Sequence, residues 1–197
     1  MSIRDYLHDR SVWFETFVHA PAPSATRRAR TVRVSGHQVA KAVLIRSGDR
    51  YALAVVPATR RIDLERLAQV LGGPGVRIAT EDEVERVFGD CERGALPPFG
   101  RPYGLKTVVD SGLALAPVIV FVGNARHEGI RMRYRDYEAV EAPVLARIAL
   151  TIAPRRPSRA LPGGRILRNW ITRTGGENEK ERSSRRGPDV DDAFEEP

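Results

Sequence analysis

Val39-Ala40-Lys41-Ala42-Val43-Leu44-Ile45-Arg46 and Tyr51-Ala52-Leu53-Ala54-Val55-Val56 are two β-rich runs joined by Ser47-Gly48-Asp49-Arg50. Two such runs around a short glycine-containing turn predict a β-hairpin. The hairpin decides the fold class, because it starts an antiparallel sheet and the elements around it do not alternate regularly between strand and helix. The expected class is α+β, with a largely antiparallel sheet.

Upstream, residues 3–8 form a short helix with Ser2 as its cap. Residues 12–18 read as a strand, Pro21 and Pro23 break it, and Ser24 caps a helix over 25–30. Ser35-Gly36-His37-Gln38 is a turn. Downstream, Asp63 caps a helix over 64–71 whose Leu64, Leu67, Ala68 and Leu71 share one face, and Gly72-Gly73-Pro74-Gly75 stops it. Residues 76–79 are a short strand. Thr80 and Glu83 make a capping box for a helix through Phe88. Strands follow over 106–110, 117–122 and 129–134. Residues 118–122 are apolar throughout and predict a central strand buried on both faces. A last helix or turn-and-helix, broken by Pro143, is expected over 137–148.

The 197 residues suit one domain, expected over 1–153, plus a tail over 154–197. The tail opens with Arg155, Arg156, Arg159, Arg165, Arg168 and Arg173, with no acidic residue among them and Trp170 nearby. It then becomes mixed in charge and poor in apolar residues, the composition of a disordered segment. No run approaches the roughly 18 apolar residues of a membrane span. The first residues carry no apolar signal core. Cys91 is the single cysteine, so no disulfide within the chain and no cysteine metal cluster can form. No metal site, no cofactor, no membrane contact and a cytoplasmic location are expected. The net charge of +7 and pI near 10.1 lean toward a polyanionic partner such as nucleic acid.

Gly94-Ala95-Leu96-Pro97-Pro98-Phe99-Gly100 brackets two prolines and an aromatic with glycines. Pro97 and Pro98 stiffen the middle, while Gly94 and Gly100 free the ends. A stiff loop of this kind is either a surface turn or a cradle that aims backbone N–H groups at an anion or an oxyanion. Lys41, among apolar neighbours, points to solvent or reaches into a pocket. The pattern favours solvent, since lysine is almost never fully buried. His19, just past a strand end, is a substrate contact or a surface or partly buried structural histidine. Asp110 contacts substrate or caps the turn that follows its strand. His8, His19, His37 and His127 lack metal spacing, and there is no Walker loop, dinucleotide fingerprint or nucleophile elbow.

The order of these features resembles the YbaK family, the prolyl-tRNA synthetase associated editing domain. The likeness rests on a lysine at a hairpin head (Val39-Ala40-Lys41-Ala42), then Val76-Arg77-Ile78-Ala79-Thr80-Glu81-Asp82-Glu83-Val84, then the Gly94-to-Pro98 loop, then Val108-Val109-Asp110-Ser111. It covers about residues 10–150. The resemblance implies a curved, mixed sheet flanked by helices and an enzyme that hydrolyses amino acids mischarged onto tRNA, most often tRNA for proline. It implies that Lys41 and Gly94 are catalytic, with Lys41 at the terminal nucleotide. Ala95, Leu96, Pro97, Pro98, Phe99 and Gly100, with His19 and Asp110, would bind substrate. The loop backbone and the neighbouring ribose hydroxyl would orient the attacking water, without a metal. Ala42 stands where many relatives carry Thr or Asn, which leaves the preferred amino acid open. The implied partner is the acceptor end of aminoacyl-tRNA. The arginines over 155–173 lie outside the family pattern, and their composition reads either as further phosphate contacts on tRNA or as a solvated extension. Two rivals share the composition: a non-catalytic tRNA- or ligand-binding module on the same fold, and a general RNA-binding protein acting through its tail.

Overall fold

A computed structural model describes residues 1–19, 34–73 and 75–151. In chain order the elements are α1 (Ile3–His8), β1 (Glu15–Val18), β2 (Ala40–Ser47), β3 (Arg50–Pro57), β4 (Arg60–Ile62), α2 (Leu64–Leu71), β5 (Val76–Ile78), α3 (Glu81–Val87), a 3-10 turn (Arg101–Tyr103), β6 (Lys106–Asp110), α4 (Ser111–Ala114), β7 (Val118–Val122), β8 (Glu128–Arg133), α5 (Tyr134–Glu141), β9 (Val144–Ala146) and β10 (Ala149–Thr151). The helix expected over 25–30, the proline of the 72–75 stop and the arginine-rich segment from 155 on lie outside the described residues.

The hairpin forms as predicted: β2 and β3 pair antiparallel from Ala40↔Pro57 to Ser47↔Arg50, and Gly48 takes φ +59° in the turn. It is the heart of a five-stranded sheet ordered β5-β2-β3-β6-β9. Its β3–β6 and β6–β9 ladders are parallel, so the sheet is mixed. Smaller ladders, β1-β8-β7 and β10-β4, are antiparallel. Alternation along the central strands feeds two apolar layers. Leu44, Leu53, Val55 and Val109 join α1, Phe88, Phe99, β7, β8 and α5. Ile45, Ala54, Val56 and Val108 join Leu67 of α2 and Ile148. Each fully buried Leu, Val or Phe in these layers contributes about 1.5–3 kcal/mol.

Local signals fix the helices on both faces. The Asp63 carboxylate accepts from Arg66 N at 3.1 Å, and Gly72 ends α2 in the left-handed region. Thr80 and Glu83 form the reciprocal capping box of α3.

Three expected boundaries need correction. The strand placed over 129–134 ends at Arg133, and Tyr134 opens α5, burying Tyr134, Tyr137, Val140 and Glu141 along one face. The helix placed over 137–148 stops at Glu141, with Ala142 at φ +47°. Beyond Pro143 the chain extends, because Val144–Ala146 pairs with β6 as an edge strand. The strand over 12–18 starts only at Glu15, since Val12 N–H donates to Leu7 O and closes α1 instead. The all-apolar β7 is buried from Ile119 to Val122, as its composition requires. The central position expected of it is not found: it is the last strand of its own ladder, and only a Val39↔Val120 bridge on its other side connects it to the start of the hairpin.

Candidate active site

The β5–β2 ladder is short. It covers Ile45↔Ile78 to Ser47↔Val76, and Ala79 N–H adds a last bond to Leu44 O at 2.9 Å. Beyond that point the chain leaves β2 and enters α3. The first half of β2, including Lys41 and Ala42, therefore borders a cavity of about 930 Å³. Val84 and Phe88 of the α3 segment and Val122 at the end of β7 supply apolar wall. Gly89 and residues 91–96, the segment after Phe88, line it as well.

That segment is held on both sides. Glu92 N–H donates to Asn124 O at 2.8 Å, and the Glu92 carboxylate accepts from Arg126 N at 2.7 Å, which ties it to the β7–β8 connection. Ala95 N–H donates to Glu92 O, closing a turn in which Gly94 sits at φ +81°. Such an angle favours glycine. Gly94, Ala95 and Leu96 line the cavity. Pro97, Pro98, Phe99 and Gly100 do not: they are buried in the protein. Phe99 meets Tyr6, Phe121 and Tyr137 edge-on at 5.9, 5.5 and 5.1 Å between ring centres. Tyr137 donates its hydroxyl to Pro98 O at 2.8 Å. One carboxylate oxygen of Glu141 accepts from Gly100 N at 2.8 Å, from Arg101 N at 3.2 Å and from the Thr107 hydroxyl.

Lys41 is half-buried and does not point to open solvent, the direction its pattern favours. Its ammonium donates to Arg60 O at 2.8 Å. Burial, followed by repulsion from Arg61, lowers its pKa below the ordinary 10.5. Cys91 also borders the cavity, and its sulfur accepts from Asn124 Nδ2 at 3.3 Å. Burial pushes its thiol up to about 11, so it stays protonated and a poor nucleophile.

Two candidate residues lie elsewhere. His19 is 6% exposed at the end of β1, where its N–H donates to His127 O at 2.9 Å and its ring leans on Phe17. Asp110 ends β6, and its carboxylate accepts from Gly112 N, Ile148 N and Ala149 N at 2.9–3.0 Å. Neither borders the cavity.

The charged rim, Glu81, Glu85, Glu92, Arg93 and Arg126, was not singled out from the sequence. Glu81 and Glu85, four apart on α3, carry a periodic signal. Arg126 has none, because only the β7–β8 turn brings it here. Among the described residues no three His, Cys, Asp or Glu side chains gather to hold a metal. Among the same residues no helix is long and apolar enough to cross a membrane.

Known proteins resemble this chain in sequence and in fold. Residues 19–140 match the family model of the aminoacyl-tRNA editing domain. The chain is 30% identical over 104 residues to the multifunctional Ser/Thr-tRNA deacylase ProXp-y of Escherichia coli K12, and equally to the protein of that name from E. coli O157:H7. The match takes in 52% of this chain and spans 62% of the length of those curated relatives. A solved structure proposed to be a trans-editing enzyme for prolyl tRNA synthetase superposes at TM-score 0.68 and 23% identity, over 75% of this chain and 94% of that one. A hypothetical protein of known structure gives 0.69 at 19% identity, over 75% and 99%. At these identities the two structures speak for the fold.

Proposed function

Because this chain belongs to the aminoacyl-tRNA editing domain family, we propose that it is a trans-acting deacylase that hydrolyses the ester of a mischarged tRNA, with tRNA for proline as its preferred carrier. The observation that carries the reading is that Lys41 and Gly94-Ala95-Leu96 border one cavity. An ester is already activated, so positioning and oxyanion stabilisation supply much of the rate.

Water adds to the ester carbonyl, the oxyanion forms, and the bond to the ribose oxygen breaks; the proton lost by the water ends on that oxygen, so the free amino acid and the ribose hydroxyl are released. Ala95 N–H is committed to Glu92 O. The N–H groups proposed to face the oxyanion are therefore those of Gly94 and Leu96. The adjacent ribose hydroxyl orients the water. The Lys41 ammonium, held by Arg60 O, meets a phosphate of the terminal nucleotide as a point charge. No step requires a metal, and the substrate places the work in the cytoplasm.

Incubation with tRNA for proline carrying a panel of non-cognate amino acids tests this. The curated relative's name makes seryl and threonyl esters the first to try. Release of free amino acid from at least one is expected. Binding to all without release would make the protein a non-catalytic module.

A further inference from the structure

Glu141 is an unusual residue to find where it is. It is 2% exposed, and burial raises its pKa above the ordinary carboxylate value. Removing a carboxylate from water is expensive unless its oxygens are well paired. It is also the last residue of α5, the helix end at which negative charge is unfavourable. Among the described residues its buried Oε2 has no hydrogen-bond partner.

What the carboxylate does hold is the far end of the loop. Its Oε1 takes the N–H groups of Gly100 and Arg101 and the Thr107 hydroxyl. Arg101 returns a bond from its guanidinium to Val140 O at 3.0 Å. One turn earlier on the same helix, Tyr137 donates to Pro98 O. The loop is thus fastened to α5 at Pro98 and again at Gly100. Between these bonds and the cavity lie Pro97 and Pro98, whose rings fix φ. A shift at the fastened end is therefore passed to Leu96 and Gly94 rather than absorbed.

We propose that Glu141, through Gly100 and Arg101, and Tyr137, through Pro98, are positioning residues that set the placement of the Gly94-Ala95-Leu96 backbone for ester hydrolysis. The proposal rests on the deacylase reading. A loop displaced by a fraction of an ångström still admits the acceptor end but aims its N–H groups past the oxyanion. Loss of the clasp should therefore fall on the rate at saturation and spare the Michaelis constant.

The test uses the full chain with Glu141→Ala, Glu141→Gln and Tyr137→Phe. It reads thermal unfolding, kcat and KM on the best mischarged tRNA, and amide hydrogen exchange over 92–101. Glu141→Ala should lower kcat by about tenfold or more with KM within about twofold. Exchange should rise over 92–101 while β2 and β3 stay protected. Glu141→Gln keeps an acceptor oxygen and should return kcat to within about threefold of wild type. Tyr137→Phe should change kcat and exchange in the same direction, and it carries the test if Glu141→Ala does not fold. A folded Glu141→Ala with wild-type kcat and exchange overturns the proposal, as does Glu141→Gln performing no better than Ala. If the wild-type chain releases no amino acid from any tRNA, the deacylase reading fails by itself. Exchange over 92–101 then decides whether the clasp holds the loop.

Discussion

The ammonium of Lys41 donates to the carbonyl oxygen of Arg60 at 2.8 Å, joining the head of β2 to the start of β4 at the edge of the cavity. The bond gives a long, flexible side chain one direction. It uses one of three ammonium protons and leaves the others for a ligand.

Lys41→Met should reduce deacylation by on the order of a hundredfold, as removal of a charge-stabilising donor does elsewhere. Burial lowers the Lys41 pKa, so the folded state binds its proton less tightly than the unfolded chain does. Its charge therefore opposes folding at neutral pH, and the opposition fades as pH rises toward 10.5. The Met variant should be at least as heat-stable as wild type at pH 7. A side-chain NMR titration giving a Lys41 pKa at or above 10.5 would contradict this account.

Gly94 and Gly100 should respond differently to alanine. Among the described residues a Cβ on Gly94 meets nothing within 4 Å, but its φ of +81° penalises any side chain by about 1–2 kcal/mol. The loop relaxes by changing that angle, so activity should fall more than stability. A Cβ on Gly100 lies 2.5 Å from the Thr107 hydroxyl and 3.1 Å from Leu105 O. That variant should lose stability first. Paired melting and kinetic measurements separate the two.

Asp110→Ala should destabilise the fold by about 2–4 kcal/mol, because Ile148 N and Ala149 N would lose their acceptor inside the protein. At a temperature where the variant remains folded, the hydrolysis rate should stay near wild type. An inactive variant with an unchanged melting temperature would restore Asp110 as a substrate contact.

Glu83 gathers Arg77, Arg46, Tyr51 and Thr80 N around one carboxylate, and the Arg77 hydrogen bonds lead in holding its pKa far below the ordinary 4.5. A depressed acid pKa contributes stability that is present above 4.5 and lost as pH falls below it. Glu83→Gln should melt lower than wild type at pH 7, with the difference shrinking steadily from pH 4.5 downward. A constant difference across that range would show that charge is not what the cluster supplies.

The arginines over 155–173 are expected to add phosphate contacts beyond the acceptor end. Truncation after Ala153 should weaken tRNA binding at low salt, flatten its salt dependence and leave the saturated rate unchanged. Equal salt slopes for the two chains would remove the tail from the reading.

The hairpin and the caps of α2 and α3 were legible because their causes are local. A glycine turn, Asp63 before an apolar face and Thr80 with Glu83 act within four residues. Val144–Ala146 was misread as helix because its partner, β6, lies far upstream in sequence. Lys41 was ambiguous for a similar reason: its pattern does not say that β5 stops pairing at Ile45, which is what opens the cavity beside it. The Gly94-to-Gly100 loop was legible as stiff, but not as two halves, one bordering the cavity and one buried in the protein. Glu141 looked like any acidic residue on a helix, since its burial depends on Gly100 and Thr107, distant in sequence.

The parallel pairing of β3 with β6 also dictates an order of events. Parallel neighbours need a crossover, and the crossover here carries α3, Phe88 and the whole loop. Lys41 rides on a hairpin that closes through adjacent residues. Gly94 reaches it only after a long segment is pinned at its far end by β6, a slower closure. During refolding, hairpin amides should therefore gain protection before any deacylation returns. A nascent chain released before residue 110 would carry the lysine with nothing to hold an ester against it.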